Sequence, residues 1–496
     1  MTRTAVHPRL MLLLVLVCTV GAYAQDAPST EERLDRMSRL LLDTQHQLEA
    51  TQQRLQSMQL ELQQLRGQQS PAATVAAASS SSQQEEQELL AAQIKQHEQT
   101  KVESMSKYPV RIYGLLLANA YSNAGMVDDP DLPSAAIRTY AGTAHGSIGA
   151  GFRQSVLGIT GTGPSLFGGR SSADISLDFF GGPTYNYYGS TNGSVRLRRA
   201  DIALAWGRTA NPEASRDELH FGVDSPLISP LNPHSFATIA ESPLAWSGNL
   251  WAWAPQLRYA HILSLSSAHG APTLELEGGL WDPPAVAVQE DSATRVISAG
   301  EFSRRPGFMA RASVHHGAQQ HAAHLGIGGY GDQQAFAMGQ IIQMWAMTAD
   351  WELPIGNRIS VSGEAYRGVG LGGLGGGAYK DTLTGVDVKT GMERTLGLNS
   401  VGGWAQVSTR LFQGVEVNMI YGQDGGYASD FHQLNMKNSA FYLSESARSQ
   451  MVVGNVIYRP RTYLILSPEY RRIASWRITG PAVTANIYTL SLGYQF

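Results

Sequence analysis

Tyr488-Thr-Leu-Ser-Leu-Gly-Tyr-Gln-Phe496 ends the sequence. Tyr488, Leu490, Leu492, Tyr494 and Phe496 alternate with Thr489, Ser491, Gly493 and Gln495, so an extended strand here has one apolar and one polar face. Aromatic residues stand at the ends of the apolar face. A strand that crosses a bilayer as part of a barrel needs this pattern, with lipid on one side and a polar lumen on the other. The same period of two recurs upstream. Ala173, Ile175, Leu177 and Phe179 alternate with Asp174, Ser176, Asp178 and Phe180, and residues 274–281, 358–367, 403–412 and 414–422 repeat the theme. About sixteen such segments follow Tyr108, within the range found for outer-membrane barrels. A bulge is expected near 196–201, where clean alternation fails.

The connections between segments alternate in length. Short links are expected near 161–172, 208–216, 266–271, 317–320, 354–357, 412–414 and 458–462. Long ones are expected near 122–144, 181–193, 223–254, 282–306, 329–340, 368–398, 424–444 and 474–485. Outer-membrane barrels place short turns on the periplasmic side and long loops outside, whereas a soluble sandwich has no reason to gather its long loops at one end. The aromatic Phe496 reads as the terminal signal recognised by the barrel-assembly machinery.

Composition agrees with this reading. The chain holds 52 Gly, 20 Tyr and 9 Trp among 496 residues, with charged residues at 16%. Beyond residue 24 it has no apolar run long enough for a spanning helix. Residues 1–24 read as a signal peptide: Arg3, His7 and Arg9 precede an apolar run over 10–20, and Ala22-Tyr23-Ala24 offers a cleavage site. Cys18, the single cysteine, would leave with it, so neither a disulfide framework nor thiol chemistry is expected.

Residues 25–66 form the next unit, an α-helical coiled coil on the periplasmic side. Leu34, Leu41, Leu48, Leu55 and Leu62 take one seam position of a heptad, and Met37, Thr44, Thr51, Met58 and Leu65 take the other. Thr44 and Thr51 weaken the middle of the seam, which makes the coil an adjunct to a stronger oligomer contact. Residues 67–107 read as a linker, rich in Ala and Ser over 67–82, with a possible polar helix from Gln83 to about Lys107. The transmembrane barrel is expected to occupy 108–496, giving an all-β barrel of about sixteen antiparallel strands preceded by the coiled coil.

From Tyr108 onward there are 27 basic and 29 acidic residues, and 24 of the basic ones are Arg. That balance excludes nucleic acid, which needs a basic face. Arginine facing lipid at mid-bilayer costs about 2–4 kcal/mol, so arginines within strands should face the lumen or lie near the interfaces.

The sequence resembles the trimeric sixteen-stranded porins, specifically the DcaP-like branch with an N-terminal coiled coil. The resemblance rests on Val110-Arg-Ile-Tyr-Gly114, Arg153-Gln-Ser-Val-Leu-Gly-Ile159, Ala173-Asp-Ile-Ser-Leu-Asp-Phe-Phe-Gly181, Ser194-Val-Arg-Leu-Arg-Arg199, Tyr458-Arg-Pro-Arg461 and Ser467-Pro-Glu-Tyr-Arg471. It implies a homotrimer among outer-membrane lipids that passes small hydrophilic solutes. It also implies that the third long loop, 223–254, folds into the lumen; the alternative is an external loop against a neighbouring subunit. That loop carries Asp224, His234, Glu241, Trp246, Trp251 and Trp253 but lacks the Pro-Glu-Phe-Gly-Gly signature of general enteric porins, which counts against simple size sieving.

Channel-lining or constriction candidates are Arg153, Asp174, Asp178, Arg196, Arg198, Asp224, Glu241, Arg258, Arg311, Glu364 and Arg410. An arginine ladder would favour anions. The competing reading has each Arg paired with a lumenal carboxylate (Asp174, Asp178, Glu275, Glu277, Glu364 or Glu469), bracing the wall. His315, His316, His321 and His324 surround one short link and could meet at a metal, although a polar turn there needs none. The run 368–377 lacks the Gly-Lys-Ser/Thr of a phosphate cradle and reads as a flexible loop. Neither a Gly-x-Ser-x-Gly elbow nor a Ser/His/acid set on adjacent strand ends is present, and no cofactor is called for. The functional choice therefore lies between a passive pore and a structural anchor that ties the membrane to the cell wall through the coil.

Overall fold

Strands with an apolar and a polar face satisfy both in a membrane only if the sheet closes on itself, because an open edge in hydrocarbon leaves N–H and C=O groups unpaired. A computed structural model of the chain describes residues 108–139, 145–181, 193–207, 215–266, 271–286, 296–317, 323–336, 339–436 and 445–496. The signal segment, the coiled-coil seam (Leu34, Met37, Leu41, Leu48, Leu55, Met58 and Leu62) and the linker lie outside the described residues.

The strands in chain order are β1 (Val110–Ala124), β2 (Gly146–Gly151), β3 (Val156–Leu166), β4 (Gly169–Asp178), β5 (Arg196–Gly207), β6 (Arg216–Asp224), β7 (Ala254–Ser264), β8 (Thr273–Trp281), β9 (Gly307–His316) and β10 (Ala323–Ala335). There follow β11 (Ile341–Ile355), β12 (Ile359–Val369), β13 (Thr382–Asp387), β14 (Glu393–Gly397), β15 (Asn399–Phe412), β16 (Val415–Gly426), β17 (Leu434–Met436), β18 (Ser446–Arg461), β19 (Leu464–Arg477) and β20 (Val483–Gln495). Seventeen of them form one antiparallel sheet. β2 and β3 both pair with β1 and are two pieces of one broken stave, so the barrel has sixteen staves. It closes where β1 pairs with β20, from Leu115 opposite Gln495 to Ala124 opposite Asn486. β13, β14 and β17 make a separate three-stranded sheet.

The burial pattern inverts that of a water-soluble protein. Ile327, Met347 and Met419 point outward and are 68%, 69% and 70% exposed, while Asp350, Asn418 and Asp424 point inward and are buried. Such a continuous apolar exterior is stable against lipid and not against water. Phe167, Phe412, Tyr458, Tyr463, Tyr494 and Phe496 stand exposed around the short-turn rim, as an aromatic girdle does.

Several boundaries differ from the sequence reading. The connections expected to be long at 329–340 and 474–485 are only 336–340 and 478–482, because β10, β11, β19 and β20 keep pairing to their tips. The second stave is not one strand from Arg153; the chain breaks at 152–155, which removes Arg153 from the ladder. In β5 the register slips between Ser176 and Leu177, whose partners are Arg199 and Leu197, leaving Arg198 unmatched. This bulge lets Arg198 and Arg199 both turn to the lumen, as a strictly alternating strand could not. Arg367 takes an outward position near the loop end of β12, with its guanidinium 5.2 Å from the Tyr427 ring centroid.

At the seam, Gly114 N–H donates to Phe496 O at 2.9 Å and Phe496 N–H donates to Gly114 O at 3.0 Å. A Cβ at Gly114 would lie 2.7 Å from the Phe496 ring and 2.8 Å from the Val156 carbonyl oxygen. Gly454 has open space where its Cβ would go. Gly114→Val is therefore expected to reduce the heat-modifiable folded band on cold gels by several-fold, while Gly454→Ala leaves it unchanged. Equal folded yields for the two variants would contradict the seam geometry.

Candidate functional site: a loop inside the barrel

The connection 225–253 joins β6 to β7, yet its hydrogen bonds reach strands far around the barrel. Ser229 Oγ donates to Glu364 Oε2 on β12 at 2.5 Å, Leu231 N–H donates to Glu364 Oε1 at 2.8 Å, and Trp404 Nε1 of β15 donates to the same carboxylate at 3.1 Å. His234 N–H donates to Gln406 Oε1 of β15 at 2.7 Å, and Ser235 Oγ to Glu469 Oε2 of β19 at 2.6 Å. Gln154, in the break between β2 and β3, donates to Ala237 O at 2.8 Å and accepts from Ile239 N–H at 2.6 Å. Arg471 Nη2 donates to Thr238 Oγ1 at 3.2 Å, and Arg198 Nη1 donates to Ile239 O at 2.8 Å. Partners on β5, β12, β15 and β19 can be reached together only from inside, so the loop crosses the lumen.

A second connection, 370–398, packs upon the first. Trp246 Nε1 donates to Gly372 O at 3.0 Å, and the Trp246 ring stacks on Tyr379 at 4.9 Å. Leu371 and Leu374 are buried with Leu227, Ile228 and Leu250 against the inner faces of Met309, Met344 and Tyr366. The glycine run expected to be a flexible loop is thus part of a packed core. Its bare Cα atoms allow the approach: a Cβ at Gly373 would overlap the Pro284 carbonyl. Gly377 N–H donates to Asp424 Oδ1 at 3.0 Å, and Ala378 N–H donates to the other oxygen. Burial pushes Lys380 down to about 7 and Asp381 up to about 6.

These loops leave the lumenal charges unequally covered. The inward ion pairs Arg311–Asp350 (2.8 Å), Arg311–Glu277 (2.8 Å) and Arg471–Glu469 (2.8 Å) are sealed, Arg311 keeping 3% of its side chain accessible. On β5 two guanidinium groups stay more open: Arg199 is 42% accessible and Arg196, which also donates to Ala240 O of the crossing loop, 24%. Asp178, fully buried, takes Arg196 at 2.7 Å and Arg198 at 3.3 Å. Arg199 is held more loosely, 3.4 Å from Asp224 and 3.9 Å from both Asp174 and Asp201. Arg258 stands 3.9 Å from Asp224 and from Glu277. A hollow of about 260 Å³ between this wall and the loop is bordered by Arg198, Glu241, Trp251 and Trp253. The Arg198 guanidinium lies 4.7 Å from the Trp253 ring. Burial, followed by the charge of Asp128, pushes the Glu241 carboxyl up to about 8.

The structure thus gathers Asp174, Asp178, Arg196, Arg198, Asp224, Glu241 and Arg258 around one accessible wall. It sets the others apart. Arg311 and Glu364 are buried beyond it, and Arg410 stands at the short-turn end. Arg153 pairs with Asp131 of the first loop at 3.1 Å and lies 3.8 Å over the Phe180 ring. The sequence reading passed over Gln154, Asp201 and Asp350. Asp350 and Asp201 occupy inward positions that period-two counting could have found, whereas nothing in the sequence marks Gln154 as a loop anchor. His315 and His324 stack at 4.5 Å, pairing with Glu275 at 3.2 Å and Asp350 at 2.7 Å. His316 faces outward and His321 lies outside the described residues. Among the described residues no set of three His, Cys, Asp or Glu side chains is arranged to hold a metal.

A closed sixteen-stranded antiparallel barrel with a loop folded through its lumen is the fold of the porins. No family model and no curated protein matches the chain. Among solved structures it is similar to the outer membrane channel DcaP of Acinetobacter baumannii, with 16% identity over 79% of this chain and 99% of that one, at a TM-score of 0.56. An anion-selective porin from Comamonas acidovorans matches at 12% identity over 79% of this chain and 100% of its own, at a TM-score of 0.47.

Glu364 holds three donors from two elements, so its removal leaves buried N–H and O–H groups unsatisfied at about 1–3 kcal/mol each. Glu364→Ala is expected to loosen the crossing loop, raising protease cleavage within 225–253 by about tenfold or more, since each 1.4 kcal/mol of opening free energy is a factor of ten. Unchanged cleavage, with the barrel still heat-modifiable, would mean that the carboxylate is not the anchor.

Proposed function

We propose that this protein is an outer-membrane porin through which small hydrophilic solutes diffuse passively, with a preference for anions. The accessible, charge-lined wall facing the crossing loop carries the reading: a purely structural barrel has no need to keep Arg196 and Arg199 wet while it buries Arg311 and Arg471. Arg199 is the most exposed of these ion-paired cations of the lumenal wall, and its loose pairs leave its donors available to a passing carboxylate or phosphate. In this reading the short turns face the periplasm and the long loops face outward. The working unit is a homotrimer. Small residues support that assembly, because Ala120, Gly149 and Gly454 line an apolar hollow of about 850 Å³ on the outer face between β16 and β1 where another barrel can approach. The porin-like barrel fold favours transport over catalysis.

Planar-bilayer recording of the purified protein tests this. Large conductance steps grouped in threes, with a reversal potential favouring chloride in a salt gradient, are expected; a folded barrel that carries no current would point to the anchor function. Arg199→Gln is expected to lower the chloride-to-potassium permeability ratio by about two- to fivefold, as loss of one fixed lumenal charge should. Glu241 is neutral below its raised pKa of about 8 and negative above it, so anion preference should fall between pH 6 and pH 9.5. Recordings of Glu241→Gln over the same range check the assignment: a fall as large as the wild type's would place the titrating group elsewhere.

A further inference from the structure

Across the middle of the lumen the inward guanidinium groups stand beside carboxylates, as Arg196, Arg198, Arg199, Arg258, Arg311 and Arg471 all do. The short-turn mouth is built differently. Arg358 lies in the turn between β11 and β12, Arg410 near the end of β15 and Arg459 near the end of β18. Arg410 and Arg459 continue the inward positions of their strands, and Arg358 that of β12. Arg410 N–H donates to Arg358 O at 2.8 Å, and Arg459 N–H donates to Gly414 O at 2.7 Å, which fixes the three backbones in register. None of the three guanidinium groups is ion-paired among the described residues.

They converge on open space. A hollow of about 380 Å³ is bordered by Arg358, Arg410, Arg459 and Glu416, and an adjoining one of about 320 Å³ shares Arg358, Arg410 and Glu416 and adds Glu352. Glu416 is already engaged: His234 Nδ1 stands 2.7 Å from its Oε1, and Asn418 Nδ2 donates to the same oxygen at 3.0 Å. Glu352 also lines the second hollow. The Arg459 guanidinium lies 5.6 Å from the ring of Phe236, so the crossing loop reaches down to this mouth. Three clustered guanidinium groups repel one another, and each offers planar pairs of N–H donors that match an oxyanion.

We propose that Arg358, Arg410 and Arg459 form an oxyanion-binding station at the periplasmic mouth, gripping the carboxylate or phosphate of a solute as it leaves the lumen. Charge preference is then set in two places: at the accessible wall, where each cation is shared with a carboxylate, and at the exit, where the arginines have no ion-pair partner among the described residues. The station takes its side of the membrane from the porin reading. A phospholipid headgroup of the adjacent leaflet presents the same chemistry.

The test uses inorganic phosphate on oriented pores of the full-length protein. Phosphate added on the periplasmic side should reduce chloride current saturably, and phosphate on the other side much less. The triple variant Arg358→Gln/Arg410→Gln/Arg459→Gln should need about a hundredfold more phosphate for the same block, while its heat-modifiable band shows that it folds. Block of equal strength in wild type and triple variant, or from both sides, would overturn the station. Should the protein carry no current, the porin reading fails, but titration calorimetry of phosphate onto the detergent-solubilised barrel still reads the site: heat in the wild type that is absent from the triple variant supports it, and no heat in either refutes it. Binding that appears only after lipid is stripped away assigns the station to a headgroup phosphate.

Discussion

A polypeptide in hydrocarbon has to satisfy its own backbone hydrogen bonds, and in this chain the pairing of β1 with β20 completes that requirement. Once the sheet is closed, every strand has one face toward lipid and one toward a confined interior. The exposed Met347 and Met419 and the buried Asp350 and Asn418 follow from that single condition. So does the fate of the loops. A lumen of sixteen strands is too wide for wall side chains to fill, and the inward carboxylates Glu364 on β12 and Glu469 on β19 need donors. The connection 225–253 supplies those donors through its backbone N–H groups and serines.

The interior therefore has two characters. Where the loops lie, charges are matched and dry, and apolar side chains such as Leu371 and Met344 complete a core inside the barrel. Along β5, Arg196 and Arg199 keep part of their side chains accessible. The arginines differ residue by residue. Arg311 and Arg471 sit in buried bidentate or networked pairs, whereas Arg199 is held more loosely, 3.4–3.9 Å from three carboxylates.

Much of this was legible in the sequence because lipid imposes a rule that a single residue type can break. Period-two alternation gave the strand number and the two faces, and the resemblance to porins pointed to 223–254 as the loop that crosses the lumen. The failures have physical causes. The tips of β10, β19 and β20 (329–335, 474–477 and 483–485) are short or glycine-rich stretches that hydropathy read as loop while their backbones stayed paired. The packed glycine run had no apolar periodicity, since its order comes from Asp424 and from the neighbouring loop. Anchors such as Gln154 are a single amide at a chain break, visible only once distant strands are brought together.

The span of the loop's contacts also constrains the order of assembly. Ser229 meets Glu364 across 135 positions of sequence, and Ser235 meets Glu469 across 234. Eleven of the barrel's sixteen staves follow the loop in the chain, and much of its seat is made from them. The loop therefore cannot settle while the chain is still zipping from either end, and such distant pairings are the slow ones in folding. A barrel that closed with 225–253 outside would be fully hydrogen-bonded along its staves and kinetically trapped, with its lumenal carboxylates unanswered. Seating of the loop is therefore completed only with the last strands.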